Sequence, residues 1–182
     1  MSLSLSLFSL ASHSTPADPL VVTKNPPAIT SIFLTEIKKI RQISPTLASA
    51  DMPKVENLAE LEHSGYQHLI NLILGDFSQQ QHQIGALGMT FEKIAVDWHE
   101  PKLADFQKFV ALMDNYHQDN VFVHCRLNYR ASAFVYLYQT IQLGIDEEIA
   151  KRQMLSVWQP EGTWLTFINS IQEHHQTQSE KI

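Results

Sequence analysis

The sequence predicts a layered α/β domain built on a mostly parallel sheet, and three observations carry that reading. Short apolar runs of strand length alternate with longer stretches of helical periodicity. The run His68–Leu74 (His-Leu-Ile-Asn-Leu-Ile-Leu) is nearly continuous in apolar residues, as in a strand covered on both faces. Proline and glycine punctuate the pattern where helices should start and stop, at Pro53, Gly65, Gly88, Pro101 and Gly144.

The elements follow in order. Residues 28–41 place Ile29, Ile32, Phe33, Ile37 and Ile40 on one face of a predicted helix, which Ser44-Pro45 ends. Pro53 suits a first helical position, with Val55, Leu58 and Leu61 inward and Gly65 as the stop. The strand at 68–74 is followed by a short helix near 79–87 and a strand over 89–96. Pro101 opens a helix with Leu103, Phe106, Val110 and Met113 on one side. Val121–Val123 is the next strand, and residues 130–143 form a helix with Phe134, Leu137, Tyr138 and Ile141 inward. Two more helices are predicted near 146–158 and 161–174.

At 182 residues the chain suits one domain with a good core, read as 28–175 between a leader (1–27) and a polar, frayed tail from Gln176. Its 44% hydrophobic and 18% charged content is that of a globular protein. A net charge of −6 argues against nucleic acid as a partner, because duplex binding needs clustered Lys and Arg. No apolar stretch approaches the roughly 20 residues of a membrane span, so no stable membrane insertion is expected. One cysteine makes no internal disulfide, which suits a reducing, cytoplasmic setting. The stretch 3–11 resembles a signal core without a preceding basic residue, and export is the alternative. No metal-ligand spacing occurs and no cofactor is implied; His174-His175 is read as solvent-facing.

The chemistry concentrates in Val121–Tyr138, where an apolar β-branched run ends at His124-Cys125 and Arg130 follows five residues later. This order puts the thiol at the carboxyl end of a buried strand, in a tight loop feeding a helix N-terminus. Inward amides and the positive helix end suit an anion there and favour thiolate over thiol. Arg130 adds a planar fork matching two oxygens of a phosphate-like group. A cysteine at a strand end also packs as a small hydrophobe. The polar, cation-rich company of residues 126–130 favours the functional reading. Ligands of open α/β sheets bind beyond the carboxyl ends of the strands, where both Cys125 and the acidic loop at Asp97 fall. Cys125 is therefore expected at the bottom of a shallow pocket ringed by loop amides.

Several segments together resemble the cysteine-dependent protein tyrosine phosphatase superfamily, in a bacterial dual-specificity-like branch related to the β-lactamase-hydrolase-like phosphatases. Residues 47–53 (Leu-Ala-Ser-Ala-Asp-Met-Pro) stand where that branch enters its first core helix, and 69–72 match its Ile-Asn-Leu strand. Residues 96–101 (Val-Asp-Trp-His-Glu-Pro) resemble its acid loop, and 123–132 its phosphate loop. The resemblance runs from about residue 45 to residue 158 and implies a three-layer domain with a four- to five-stranded sheet between helices. It implies Cys125 as the nucleophile forming a phosphocysteine on a phosphate monoester, protein or small molecule. Backbone N–H groups of Arg126, Leu127, Asn128, Tyr129 and Arg130 would cradle the phosphoryl oxygens, with Arg130 clamping two of them. Asp97 would act as general acid and then base. His124 would orient the loop and help keep the sulfur ionised, and Ser132 would hydrogen-bond it.

The loop departs from the superfamily pattern: four residues, not five, separate Cys125 from Arg130, and the usual glycine is missing. Asn128 is then the residue expected at positive φ. Six-residue loops also occur in rhodanese-type sulfurtransferases, so a persulfide carrier is one alternative and a weak or inactive phosphate-binding module another. Trp98, Trp158 and Trp164 are read as core or rim packing, Trp98 also as a possible wall of the entrance. Asp97 has a second reading as N-cap of the helix opening at Pro101. Glu100 and His99 are reserve acids, and Arg126 is read as solvent-facing.

Overall fold

The computed structural model describes Ile37 and residues 39–180, and the leader assigned to 1–27 lies outside them. Five strands form one sheet in the order β1-β2-β5-β3-β4: β1 is Arg41–Ser44, β2 Leu47–Ala50, β3 His68–Asn71, β4 Thr90–Lys93 and β5 Val121–His124. Only the β1–β2 pairing is antiparallel. Six helices flank the sheet: α1 (Val55–His63), α2 (Ser78–Ala86), α3 (Leu103–Asn115), α4 (Tyr129–Ile141), α5 (Glu147–Leu155) and α6 (Gly162–Ser179). The predicted class, layered and mostly parallel with five strands, is the class observed.

Burial explains the strand order. Every residue of β2, β3 and β5 is buried, as expected of central parallel strands, whereas β1 and β4 are partly exposed edges. Side chains alternate across β5, sending Phe122 to an apolar layer with Leu58, Leu61 and Ile84 of α1 and α2. Val121 and Val123 point to the opposite layer, with Phe106 and Phe109 of α3 and Phe134 of α4. Helix α4 is buried all round from Ala131 to Gln139, which places it in the core between the sheet and the outer helices.

Helix starts are chemically marked. The Lys54 amide donates to Asn57 Oδ1 (3.2 Å), the Lys102 amide to Asp105 Oδ2 (3.2 Å), and the Ile149 amide to Asp146 Oδ1 (3.1 Å). Gly65 ends α1 with φ 91°, the left-handed geometry for which glycine was read as the stop.

Three local expectations are corrected. Arg41, assigned to a helix, lies in β1; residues 28–36 and 38 of that assignment lie outside the described residues. Residues 47–50, taken as the lead-in to a helix, form the buried strand β2. Alternating Leu and Ser with small Ala carries little apolar signal, and β2 is a strand because it pairs with β5 along its whole length. The tail read as frayed from Gln176 continues α6 to Ser179, since Phe167, Ile168 and Ile171 anchor that helix from its middle.

The aromatic layer dominates stability on the α3–α4 side. Phe134 is fully buried, with ring centroids 5.6 Å from Phe109, 5.8 Å from Phe106 and 5.7 Å from Phe167. Phe134→Ala should therefore lose about 3–5 kcal/mol by urea denaturation, the usual cost of truncating a buried aromatic.

Candidate active site

The register aligns three strand ends: Ala50 of β2 and Asn71 of β3 both stand opposite His124 of β5. The Cys125 amide donates to Ala50 O (3.4 Å), and His124 O accepts from the Leu72 amide (2.9 Å), so the chain leaving β5 is held on both sides. Beyond Cys125 the loop is short. Leu127 makes an isolated bridge with Asp51, Asn128 turns left-handed at φ 63° and ψ 2°, and α4 begins at Tyr129. Asn128 occupies the position where a glycine is missing. Its buried side chain donates from Nδ2 to Lys39 O (2.7 Å), tying the turn to the segment before β1.

Arg130 sits in the first turn of α4, where N–H groups have no intrahelical acceptor. Its Nε is buried without a hydrogen-bond partner, and no carboxylate pairs with it among the described residues. Its guanidinium lies over the Trp98 ring, 5.3 Å from the centroid. Trp98 follows Asp97 directly, so the acidic loop packs on the cysteine loop through this contact. The same loop is fixed from behind by Trp164, whose Nε1 donates to Trp98 O (3.0 Å). Asp97 Oδ1 accepts from the His99 amide (2.8 Å) within its own turn. The alternative role of Asp97 as helix cap is not observed, because α3 starts at Leu103 with Lys102 at its N-cap.

Cys125 itself is only 1% exposed and belongs to the apolar layer that contains Val123 and Phe134. The thiol, expected at the bottom of a shallow pocket, lies beneath the surface. The reason is the two-residue period of the strand, which continues Val121, Val123, Cys125 onto the face covered by α4. His124 points to the opposite layer, wholly buried, and burial pushes its imidazole down to about 3 against a slight opposing pull from the Cys125 backbone. Burial therefore favours its neutral form. Neither ring nitrogen has a hydrogen-bond partner. The Ser132 hydroxyl is engaged elsewhere, donating to Tyr129 O (3.1 Å) and accepting from Trp158 Nε1 (3.2 Å). Arg126 and Leu127 are exposed at the rim.

Residue-by-residue reading missed an aromatic wall beside the loop. Tyr129 stacks on Trp158 with centroids 4.7 Å apart, and Trp98 meets both at 6.2 and 5.7 Å. Lys39 closes the group, its Nζ 4.3 Å from the Tyr129 ring centroid and donating to Tyr129 Oη at 3.2 Å. Nothing local links Lys39, Trp98, Tyr129 and Trp158 in the sequence; folding assembles them. Among the described residues no group of three or more His, Cys, Asp and Glu could hold a metal ion, and no helix is long and apolar enough to cross a membrane.

The fold is shared with solved structures of phosphatases. PTPMT1 shares the fold with a TM-score of 0.65 at 16% identity, over 79% of this chain and 99% of that one. TpbA from P. aeruginosa does so at 0.55 and 17%, over 63% of this chain and 70% of that one. A DUF442 protein from Shewanella putrefaciens CN-32, described as a phosphatase, reaches a TM-score of 0.71 at 30% identity, covering 78% of this chain and 96% of that one. The chain belongs to this DUF442 family. No family model matches the sequence, and no curated protein matches it.

Two predictions follow from the geometry. Asn128→Val should destabilise the protein by about 2 kcal/mol or more, through left-handed strain and a stranded Lys39 carbonyl, while Asn128→Gly loses only the hydrogen bond. Urea midpoints of the two variants against wild type measure the difference. His124 has a folded pKa depressed to about 3 from 6.5, so its stabilising contribution is complete above the unfolded value. That contribution is lost as pH falls from 6.5 toward 3, at up to about 1.4 kcal/mol per pH unit. His124→Asn should flatten the stability–pH curve across that window, read by urea denaturation at stepped pH.

Proposed function

We propose that this protein is a cysteine-dependent phosphatase that hydrolyses a phosphate monoester through a phosphocysteine intermediate. The observation that carries the reading is Arg130, half-buried with its Nε buried and without a hydrogen-bond partner, in the first turn of α4 and five residues beyond Cys125. A cationic side chain with a buried, unpartnered donor at a helix N-terminus suits an anion with several oxygens. Membership of the DUF442 family and the phosphatase descriptions of its solved relatives agree with that anion being a phosphoryl group. The TpbA structure is in complex with pTyr and a PTPMT1 structure with PI(5)P, ligands that each carry a phosphate monoester.

In the proposed reaction the Cys125 thiolate attacks phosphorus and displaces the leaving oxygen, which takes a proton from Asp97. Water activated by Asp97 then attacks the phosphocysteine, releasing phosphate and restoring the thiolate. Amides of residues 126–130 and the Arg130 fork hold the equatorial oxygens throughout. Trp98 positions both halves of this machinery, because it joins the Asp97 loop to Arg130. His124 acts as neutral packing beneath the loop. The dual-specificity-like branch and the shortened six-residue loop belong to this same reading.

The 1% exposure of Cys125 favours one second reading, a phosphate-binding module with little or no turnover. An aryl phosphate assay separates the two. A phosphatase releases phosphate, loses it in Cys125→Ser, nearly loses it in Arg130→Ala, and slows about 100-fold or more in Asp97→Asn. Phosphate binding without turnover leaves the module, and thiocyanate from thiosulfate and cyanide would show the rhodanese-type alternative.

A further inference from the structure

Lys39 holds an unusual position beside the cysteine loop. Its backbone is left-handed at φ 51°, a conformation that residues other than Gly, Asn and Asp seldom adopt. The Asn128 side chain is bonded to that turn, donating from Nδ2 to Lys39 O at 2.7 Å. The Lys39 ammonium is bonded one residue further on, donating from Nζ to Tyr129 Oη at 3.2 Å. A lysine on a free surface swings on its four-carbon stem. This one is fixed at both ends to two consecutive residues of the loop, and it is half-buried. Local strain held by tertiary contacts next to a reactive group points to a function for the strained residue.

The surroundings of the ammonium decide what that function is. Trp158 stacks on one face of Tyr129 with centroids 4.7 Å apart, which leaves no room for a cation between the rings. Lys39 Nζ, 4.3 Å from the Tyr129 centroid, therefore covers the other face. Tyr129 has no free face on which a ligand could stack, and the aromatic wall ends in a charge. Among the described residues no ion pair engages Lys39, Arg126 or Arg130. The other charged groups on these segments are occupied or placed elsewhere. Arg41 donates from Nε to Ser156 Oγ at 2.9 Å, and Glu100 lies 3.8 Å from Lys102 Nζ. Asp97 Oδ1 accepts from the His99 amide, Asp51 bridges Leu127 through its backbone, and Glu161 is the N-cap of α6. Arg130 is reached from Lys39 through two rings: Tyr129 and Trp98 stand 6.2 Å apart, and Trp98 lies 5.3 Å from the guanidinium. A fixed ammonium with one of its three donors used suits an oxyanion.

We propose that Lys39 is a specificity-determining residue that binds a second oxyanion of the substrate, so that the substrate is a small phosphate monoester whose leaving group is itself anionic. The proposal rests on the phosphatase reading for its reacting phosphate, held at Arg130, and adds the charge of the group attached to it.

A matched pair of substrates tests it: N-acetyl-O-phosphotyrosine with its free carboxylate, and the corresponding amide. They share the reacting phosphate and the leaving phenol and differ by one charge. Wild type should prefer the free acid in kcat/KM by roughly fivefold at low ionic strength, with the preference shrinking in high salt. Lys39→Gln and, independently, Lys39→Met should bring the two compounds to equal use, whereas Lys39→Arg should keep the preference. All three variants retain the carbonyl that Asn128 binds. Damage to the loop would slow both compounds alike and leave their ratio unchanged. Arg126→Ala should also leave the wild-type ratio, since Arg126 is exposed at the rim. Equal use of the pair by wild type, a preference that survives loss of the Lys39 charge, or one that disappears in Arg126→Ala overturns the proposal. Failure of wild type to hydrolyse either compound would instead sink the phosphatase reading. Calorimetric binding of the same pair then reads Lys39 directly: tighter binding of the acid, lost in Lys39→Gln, supports the proposal, and equal affinities or no binding overturn it.

Discussion

The passage from β5 into α4 constrains everything around it, because a fully buried strand and a fully buried helix must be joined by a few residues. Two hydrogen bonds fix the strand end, Leu72 N–H to His124 O and Cys125 N–H to Ala50 O. The first turn of α4 starts at Tyr129, so the chain must reverse direction within residues 125–128. Asn128 makes that possible by taking a left-handed conformation, held by its side-chain bond to Lys39 O. Arg130 follows this reversal directly, in the first turn of α4.

The same compactness accounts for the burial of the thiol. A cysteine that continues the inward alternation of a central strand lies under the helix the strand feeds. The loop thus runs from a buried Cys125 in the apolar layer to Arg130 in the first turn of α4. An unpartnered guanidinium donor costs free energy unless an anion or water meets it.

Trp98 couples the two loops. Its backbone carbonyl is held by Trp164 of α6, and its ring carries Arg130 and contacts Tyr129 and Trp158. Asp97 is placed by what its neighbour touches more than by any bond of its own, since its carboxylate only closes a local turn with the His99 amide. Aromatic packing here does what a network of hydrogen bonds does in more polar sites, with rigidity supplied by large, well-ordered rings.

The sequence by itself determined the α/β class, the central strands β3 and β5, helices α1 to α6 to within a few residues, and the candidate pair Cys125 and Arg130. It also marked Asn128 as the residue to turn left-handed. These are local matters: apolar periodicity, glycine and proline punctuation, and the steric demands of a short loop are written in neighbouring residues. Tertiary structure decided the rest. β1 and β2 exist through pairing, for Leu-Ala-Ser-Ala acquires its strand character from β5 beside it. The neutrality of His124 comes from total desolvation, which no neighbour in sequence announces. The wall of Lys39, Trp98, Tyr129 and Trp158 joins four separate stretches of chain. Such features depend on which elements become adjacent, and adjacency is fixed by how the two apolar layers close over the sheet.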